Sequence, residues 1–302
     1  MKLAAIDIGS NAARLLITEA SLDKKNSPSF TKLSLVRVPL RLGFDVFDTG
    51  RISEKKVRLL VHTIKGFLNI AQAYEVSAMK TCATSAMRDA INNTEIIETI
   101  KEETGIKVEV ISGSDEASLV FENHIAENLD KDHSYLYIDV GGGSTELTFF
   151  SNNELIFTDS FPIGTIRLLK DQVSDTTWND MKVAIKSKTK GSKTIEAIGS
   201  GGNINKVFSM SKRKDGKPLS YELLTDYYKE LSNVSLSDRI SIYKLKEDRA
   251  DVIVPALKIY ISAMRWAGAQ QIYVPKIGLV DGLVQHLWNE QNKNERGLPL
   301  TY

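Results

Sequence analysis

The sequence is poor in the residues that mark several common classes of protein. Cys82 is the only cysteine among 302 residues, which excludes an intrachain disulfide and a thiolate metal cluster. No apolar run approaches the length of a membrane-spanning helix. The four histidines are dispersed without metal-ligand spacing: His62, His124, His133 and His286. We therefore expect a cytoplasmic protein that does not associate with membranes.

The sequence also lacks an excess of charge of either sign, because 39 lysines and arginines balance 38 aspartates and glutamates and leave a net charge of +1. This balance argues against a dedicated nucleic-acid binder, so any polyanion must be attracted by local charge and no nucleic-acid partner is expected. Lysine and arginine do concentrate in residues 182–193 and 212–214. These stretches predict solvated faces or, alternatively, a guide for a long polyanion.

Two short glycine turns, each led by an aspartate, are the most informative feature that is present. The turns comprise Asp7, Gly9, Ser10 and Asn11, and then Asp139, Gly141, Gly142, Gly143, Ser144, Thr145 and Glu146. Each lies between two apolar strand-like runs, which predicts a hairpin whose tip offers backbone N–H groups to a phosphate. An aspartate at the end of the first strand can hold a divalent cation there. The repetition predicts two related lobes that face each other across a phosphate-sized cleft.

The second turn is the more specific of the two. Three glycines followed by Ser144 and Thr145 allow several N–H groups and two hydroxyls to converge on phosphate oxygens. Asp139 and Glu146 flank this loop and could share a magnesium ion. A tight hairpin with solvated carboxylates is the alternative interpretation of a lone Gly-Gly-Gly. The matching context of the first turn favours the functional interpretation.

Three further features have weaker signals. Gly201 and Gly202 connect a predicted strand to a predicted helix, an arrangement that suits an anion but also serves packing alone. Arg88 follows a predicted strand, where it can bind phosphate or form a surface ion pair. Glu116 lies in the first turn of a predicted helix, where a capping role is common and a general base is the alternative.

A length of 302 residues favours two domains. Helices are predicted at residues 53–74, 94–103, 114–127, 178–187, 221–231, 249–266 and 280–289. Strands precede helices in both halves, which favours α/β lobes. The polar stretch 128–133 is the best boundary, so the sequence predicts an N-terminal lobe, residues 1–127, that contains Glu116. The C-terminal lobe then comprises residues 128–302, with the last residues packing back on the first lobe.

Taken together, these motifs resemble the exopolyphosphatase and guanosine pentaphosphate phosphohydrolase family (Ppx/GppA), a branch of the actin, Hsp70 and sugar-kinase superfamily. The resemblance covers nearly the whole chain and extends to residues 83–92, 110–113, 161–164, 249–255 and 278–283. It implies an α/β fold with two actin/Hsp70-like (ribonuclease H-like) lobes and mixed sheets around a central cleft. The chain resembles the short, two-domain members of the family. A homodimer is a possible assembly of this chain.

The resemblance also implies roles for single residues. Glu116 matches the catalytic base of the family, and Arg88 matches its phosphate-binding arginine. Asp139 and Glu146 match its acidic metal-binding or water-positioning residues. Two departures are visible: Ala12 replaces a serine of the first loop, and Asn123 replaces a glycine of the helix that follows the base.

The expected reaction is hydrolysis of a terminal phosphoanhydride of inorganic polyphosphate, which requires Mg²⁺ or Mn²⁺ and releases orthophosphate. Guanosine pentaphosphate is the alternative substrate. A kinase of the same superfamily and a non-hydrolytic sensor of a phosphorylated nucleotide are rival functions. The start of the helix that carries Glu116 disfavours the kinase, and the presence of both Glu116 and Asp139 disfavours the sensor.

Overall fold

The computed structural model describes residues 1–24, 26–125, 133–152, 154–192 and 194–295. The chain folds as two compact units, of which the second is Gly113–Gly278 and the first contains the residues before it and those from Leu279 onward. The boundary predicted at residues 127 and 128 lies outside the described residues. The units divide earlier, at Gly113, because the helix that begins there packs on the second sheet. Glu116 therefore belongs to the second unit, not to the N-terminal lobe.

Five strands form the sheet of the first unit, in the order β3-β2-β1-β4-β5. Its elements are β1 (Lys2–Ile8), β2 (Ala13–Leu22), β3 (Pro28–Val38), α1 (Leu42–Thr49), α2 (Glu54–Ala73), β4 (Ala78–Ala83), α3 (Ser85–Asp89), α4 (Asn93–Thr104) and β5 (Glu109–Val110). β1 pairs antiparallel with β2 and parallel with β4, so the sheet is mixed. The apolar residues of β1 are buried on both faces, which makes it the centre of the unit.

The second unit repeats this plan with one more strand, in the order β10-β11-β9-β6-β7-β8. Its elements are α5 (Gly113–Ile125), β6 (Ser134–Val140), β7 (Thr145–Ser151), β8 (Glu154–Phe161), α6 (Thr165–Leu169), α7 (Asp175–Lys188), β9 (Ile195–Ser200), α8 (Gly202–Met210), β10 (Leu219–Ser220), α9 (Tyr221–Ser232), α10 (Leu236–Ser241), α11 (Glu247–Ala250), α12 (Ile253–Ala267) and β11 (Gln271–Tyr273). In both units three antiparallel strands are followed by parallel ones. The predicted pair of α/β lobes with mixed sheets is confirmed.

The last helix, α13 (Leu279–Glu295), returns to the first unit and packs on β1, β2 and β4. Two ion pairs join it to this sheet: Lys32 lies 2.6 Å from Asp281, and Lys80 lies 3.5 Å from Glu290. The chain thus crosses from the first unit to the second and back, as the sequence predicted for its last residues.

Periodic apolar residues account for the long helices. α2 buries Leu60, Val61, Ile64 and Phe67 on one side, as the helical spacing of its apolar residues predicts. Its predicted bounds, residues 53–74, agree with the observed ones. The helix predicted at residues 249–266 is instead two helices, α11 and α12. Pro255 is the third residue of α12, and a proline is tolerated in the first turn of a helix but not in its interior. In the described part of the chain, no helix has both the length and the apolar character of a membrane span.

Candidate active site

A row of four polar residues crosses the second sheet at one register. Ser160 on β8 faces Glu146 on β7, Glu146 faces Asp139 on β6, and Asp139 faces Ser200 on β9. Directly opposed residues point to the same face of a sheet, with Cβ atoms roughly 5 Å apart. The pairing therefore brings together the two carboxylates that the sequence assigned to a metal. Glu146 is only 3% exposed, and Asp139 is partly buried.

The charge of this carboxylate pair affects a buried tyrosine. Tyr260 is fully buried, and its hydroxyl donates a hydrogen bond to the backbone carbonyl of Ser200. Burial raises the pKa of Tyr260 well above its ordinary value, and the negative charges of Asp139 and Glu146 raise it further. The phenol therefore stays protonated. The row concentrates negative charge at a poorly hydrated place, which favours binding of a cation.

The carboxylate pair fits a magnesium ion that also binds phosphate. Mg²⁺ usually takes one or two protein carboxylates and completes its shell with water and phosphate oxygens. Asp139 and Glu146 supply two such groups. No group of three or more potential ligands occurs among the described residues, so an ion that needs three or four protein ligands, such as structural zinc, does not fit this site.

Hydrogen bonds to α6 set the direction of two N–H groups in the loop of three glycines. The carbonyl of Gly141 accepts a hydrogen bond from the Thr165 N–H at 3.1 Å, and that of Gly142 accepts one from the Ile166 N–H at 2.8 Å. In a trans peptide the C=O and the following N–H point in opposite directions. The N–H groups of Gly142 and Gly143 therefore point away from α6, as an anion cradle requires.

Two more contacts fix the same loop. The Nε of Arg167 donates to the Gly143 carbonyl at 2.7 Å, so the Ser144 N–H points away from Arg167. The Thr145 hydroxyl donates to the Ile163 carbonyl at 2.5 Å, so it is used within the protein. A Cβ on Gly164 would lie 2.4 Å from the Gly142 carbonyl oxygen, so only glycine permits α6 to approach the loop this closely.

The third glycine loop lies beside the carboxylate row. Gly201 has φ of 111°, and a Cβ there would lie 3.2 Å from Asp139 Oδ1 and from the Tyr260 hydroxyl. The guanidinium of Arg249 donates to the carbonyl of Gly202, and a side chain at position 202 would require that guanidinium to move. The structure thus brings Gly201 next to Asp139, and it adds an arginine that the sequence interpretation had not assigned to the site.

The first unit has the same hairpin with a different charge. Asp7 occupies the position on β1 that Asp139 occupies on β6, but its partner on β2 is Arg14. The guanidinium of Arg14 lies 3.0 Å from Asp7 Oδ2, and Asp7 is 3% exposed. Because Arg14 already neutralises Asp7, the structure favours Asp139 and Glu146 over Asp7 as metal ligands.

The first glycine turn is tied to the element that carries Arg88. The Gly9 N–H donates to the Ala12 carbonyl at 3.1 Å, which closes the turn over the buried Ala12 side chain. The Ser10 hydroxyl accepts from the Ala86 N–H at 3.1 Å, and it can still donate its own hydrogen. The carbonyl of Asn11 accepts from the Arg41 N–H at 2.9 Å.

Arg88 lies on α3, directly after β4, and is partly buried. Its Nη1 donates to the carbonyl of Ile111 at 2.7 Å. A guanidinium carries five N–H donors, so one bond to a carbonyl can fix its direction while others address an anion. The bond to Ile111 holds the side chain at the carboxyl ends of β4 and β5.

Glu116 lies one turn into α5 and is partly buried, whereas its neighbour Asp115 is exposed. α5 packs on β7 and β8, the strands that carry Glu146 and Ser160. The helix start is close to the carboxylate row because Gly113 lies directly against Ser160. The two carboxylates and the predicted base therefore belong to one unit.

The basic stretches lie on the surface. Lys182, Lys186, Lys188 and Lys190 are exposed on α7 and after it, and residues 212–214 are exposed after α8. Lys193 and the side chain of Asn123 lie outside the described residues. That the two stretches guide one polyanion stays a prediction.

Sequence reasoning missed Ser160, Arg14, Arg249, Tyr260 and Gly164. Arg14 could have been found by counting residues away from the first turn, because antiparallel register follows once the turn is located. Ser160 could not, because the register between β7 and β8 shifts between Phe149 and Phe150. Arg249, Tyr260 and Gly164 act from distant elements, and only the tertiary fold brings them to the loops.

The sequence profile of the Ppx/GppA phosphatase family matches residues 21–290. A similar protein is exopolyphosphatase 1 of Mycobacterium tuberculosis, with 26% identity over 94% of this chain and 87% of the relative. A crystal structure of an exopolyphosphatase from Cytophaga hutchinsonii has a TM-score of 0.83 at 26% identity and covers 96% of this chain and 98% of that one. The Aquifex aeolicus Ppx/GppA family member, with a TM-score of 0.75 at 23% identity over 96% and 98% of the two chains, has the same fold.

Proposed function

Because the chain belongs to the Ppx/GppA phosphatase family, we propose that it hydrolyses the terminal phosphoanhydride bond of inorganic polyphosphate and releases orthophosphate. One observation carries the proposal: two adjacent carboxylates, the partly buried Asp139 and the buried Glu146, flank a glycine loop in which the N–H groups of Gly142 and Gly143 point away from α6. Carboxylates, a divalent ion and oriented amides are the usual means of phosphoryl transfer. Relatives named exopolyphosphatase support polyphosphate as the substrate.

The glycine loop and Glu116 have separate roles in this reaction. The N–H groups of Gly142, Gly143 and Ser144 donate to the phosphate oxygens on which negative charge develops. Glu116 orients a water molecule and accepts its proton while the water oxygen bonds to the terminal phosphorus. The bridging P–O bond breaks, and the shortened polyphosphate leaves with the electron pair of that bond.

Asp139 and Glu146 would hold Mg²⁺ or Mn²⁺, which would neutralise charge on the phosphate oxygens. The loop of Gly9, Ser10 and Asn11 and the side chain of Arg88 would bind further phosphate groups. We further propose that the enzyme acts in the cytoplasm as a homodimer. Chromatography with light scattering would test the dimer.

The direct test compares two substrates. Purified protein with Mg²⁺ is incubated with polyphosphate and, separately, with guanosine pentaphosphate, and orthophosphate is measured over time. We expect release from polyphosphate, with guanosine pentaphosphate a weaker or comparable substrate. Release from guanosine pentaphosphate alone would establish the alternative activity, and binding without any release would indicate a sensor.

A further inference from the structure

Ser160 contacts Glu146, a proposed metal ligand, and it also contacts the start of the helix that carries Glu116, the residue proposed to orient the water. We propose that Ser160 is a positioning residue that sets the carboxylate of Glu146 for the metal and couples it to the helix that carries Glu116. The inference rests on the proposed function, because it concerns the same site. It assigns a role to a side chain that neither phosphate nor metal chemistry alone would single out.

A hydrogen bond joins Ser160 to Glu146. The two residues face each other on β8 and β7, and the Ser160 hydroxyl donates to Glu146 Oε1 at 2.8 Å. Glu146 is 3% exposed, so little water is available to replace that donor. A fixed donor on one oxygen sets the rotation of the carboxylate. Partners of this kind commonly change metal affinity by about 10- to 100-fold when they are removed.

Ser160 also contacts Gly113, the first residue of α5. A Cβ at position 113 would lie 2.3 Å from Ser160 Cβ and 2.4 Å from its hydroxyl oxygen. The backbone at the start of α5 therefore rests directly on Ser160. Glu116 is three residues later, on the same side of the helix as Gly113. Ser160 thus contacts both the backbone at the start of the helix that carries the proposed base, Glu116, and the proposed metal ligand, Glu146.

The coupling gives Gly113 a specific consequence. A methyl group at position 113 cannot be accommodated unless the Ser160 side chain or the helix moves. The Ser160 side chain is the smaller group to displace, and its displacement breaks or lengthens the bond to Glu146. Gly113→Ala should therefore weaken metal binding although Gly113 itself offers no ligand.

The test measures Mn²⁺ binding to the whole protein by electron paramagnetic resonance, without substrate. We expect the dissociation constant to rise about 10-fold in Ser160→Ala and to rise in Gly113→Ala as well. Ser151→Ala is the matched control, because Ser151 is a buried serine of β7 whose hydroxyl lies 2.8 Å from that of Ser134. It should leave Mn²⁺ affinity unchanged. Circular dichroism and Tm establish that each variant is folded.

A double variant separates a role through Glu146 from general loosening of the site. If Ser160 acts through Glu146, Ser160→Ala should add no further loss of Mn²⁺ affinity in a Glu146→Ala background. Unchanged Mn²⁺ affinity in folded Ser160→Ala, or an equal loss in Ser151→Ala, would overturn the proposal. Since no substrate is present, a failure to cleave polyphosphate would overturn the proposed function without affecting this result.

Discussion

Arg14 and Asp7 form an ion pair of 3.0 Å across the first hairpin, whereas the same two strand positions of the second hairpin hold Glu146 and Asp139. The two hairpins share their spacing, their glycine turn and their place in the sheet. They differ in charge, since the first supplies its own cation and the second holds two carboxylates. This difference predicts that only the second hairpin needs a metal ion.

Substitution of the two aspartates should therefore have different effects. Asp139→Asn should raise the Mg²⁺ concentration required for half-maximal activity, because one of two anionic ligands is lost. Asp7→Asn should lower stability through loss of its partner for Arg14, with little change in the Mg²⁺ requirement of the folded enzyme. The measurement is a Mg²⁺ titration of orthophosphate release, after activity has been abolished with excess chelator. Full wild-type activity in excess chelator would refute a metal-dependent reaction.

Glu116→Gln should lower turnover by about 100-fold or more, the range expected for loss of a general base, because an amide cannot accept the proton of water. Glutamate and glutamine side chains are close in size, so the Tm of Glu116→Gln should differ little from that of the wild type. The matched control is Asp115→Asn, since Asp115 is the exposed neighbour of Glu116 on the same helix turn. Near-normal turnover of folded Glu116→Gln would contradict its role as the base.

Two substitutions of glycine by alanine should change the stability of the protein in opposite directions. Gly164→Ala places a methyl group about where the backbone of Gly142 and Gly143 lies, so it should lower stability and weaken phosphate binding together. At Gly66, in the middle of α2, no atom outside the neighbouring residues and backbone of its own helix lies within 4 Å of the position that an added methyl group would occupy. Gly66→Ala should instead raise stability by about 0.5–1 kcal/mol, because alanine favours the helix. Urea unfolding of both variants measures the contrast.

The sequence predicts those parts of the candidate site whose residues lie close together in the chain. Asp139, Glu146 and the glycines could be recognised because a strand, a turn and a second strand are contiguous in the chain. The partner of Asp7, Arg14, follows from the antiparallel register on the two sides of the first turn. Gly164 and Arg249 lie in segments that share the family resemblance, but the sequence does not reveal their partners, because the backbone that they contact meets them only after folding.

The assignment of α5 shows the same limit for the fold. Its helical pattern is readable in the sequence, and its bounds were predicted closely. Its membership of the second unit depends on the contact between Gly113 and Ser160, which are 47 positions apart. A polar connector after the helix suggested a boundary, but packing places the boundary before it.

Glu196 on β9 predicts a pH dependence of stability. Its Oε2 is buried without a hydrogen-bond partner in the described structure, and burial raises the pKa of Glu196 above 4.5, although His133 lowers it. The folded state therefore binds this proton more tightly than the unfolded state. The stability that the group contributes is present below pH 4.5 and is lost as the pH rises through the folded value. Glu196→Gln should thus raise Tm at about pH 8 and leave it unchanged at about pH 4; an equal gain at both values would contradict this origin.

The choice of substrate depends on charges at the surface. The exposed lysines of α7 and residues 212–214 could supply repeated contacts to a long polyanion beyond the reaction centre. We expect preference for polyphosphates of short or medium length, because two short basic stretches offer few points of contact to a long chain. Since the guiding charges are exposed, added salt should raise KM for polyphosphate strongly, with kcat much less affected. Lys186→Gln with Lys188→Gln should reduce that salt dependence, whereas Lys55→Gln, an exposed lysine at the start of α2 in the first unit, should not. Robust cleavage of guanosine pentaphosphate, with no orthophosphate from polyphosphate of any length, would show this choice to be wrong.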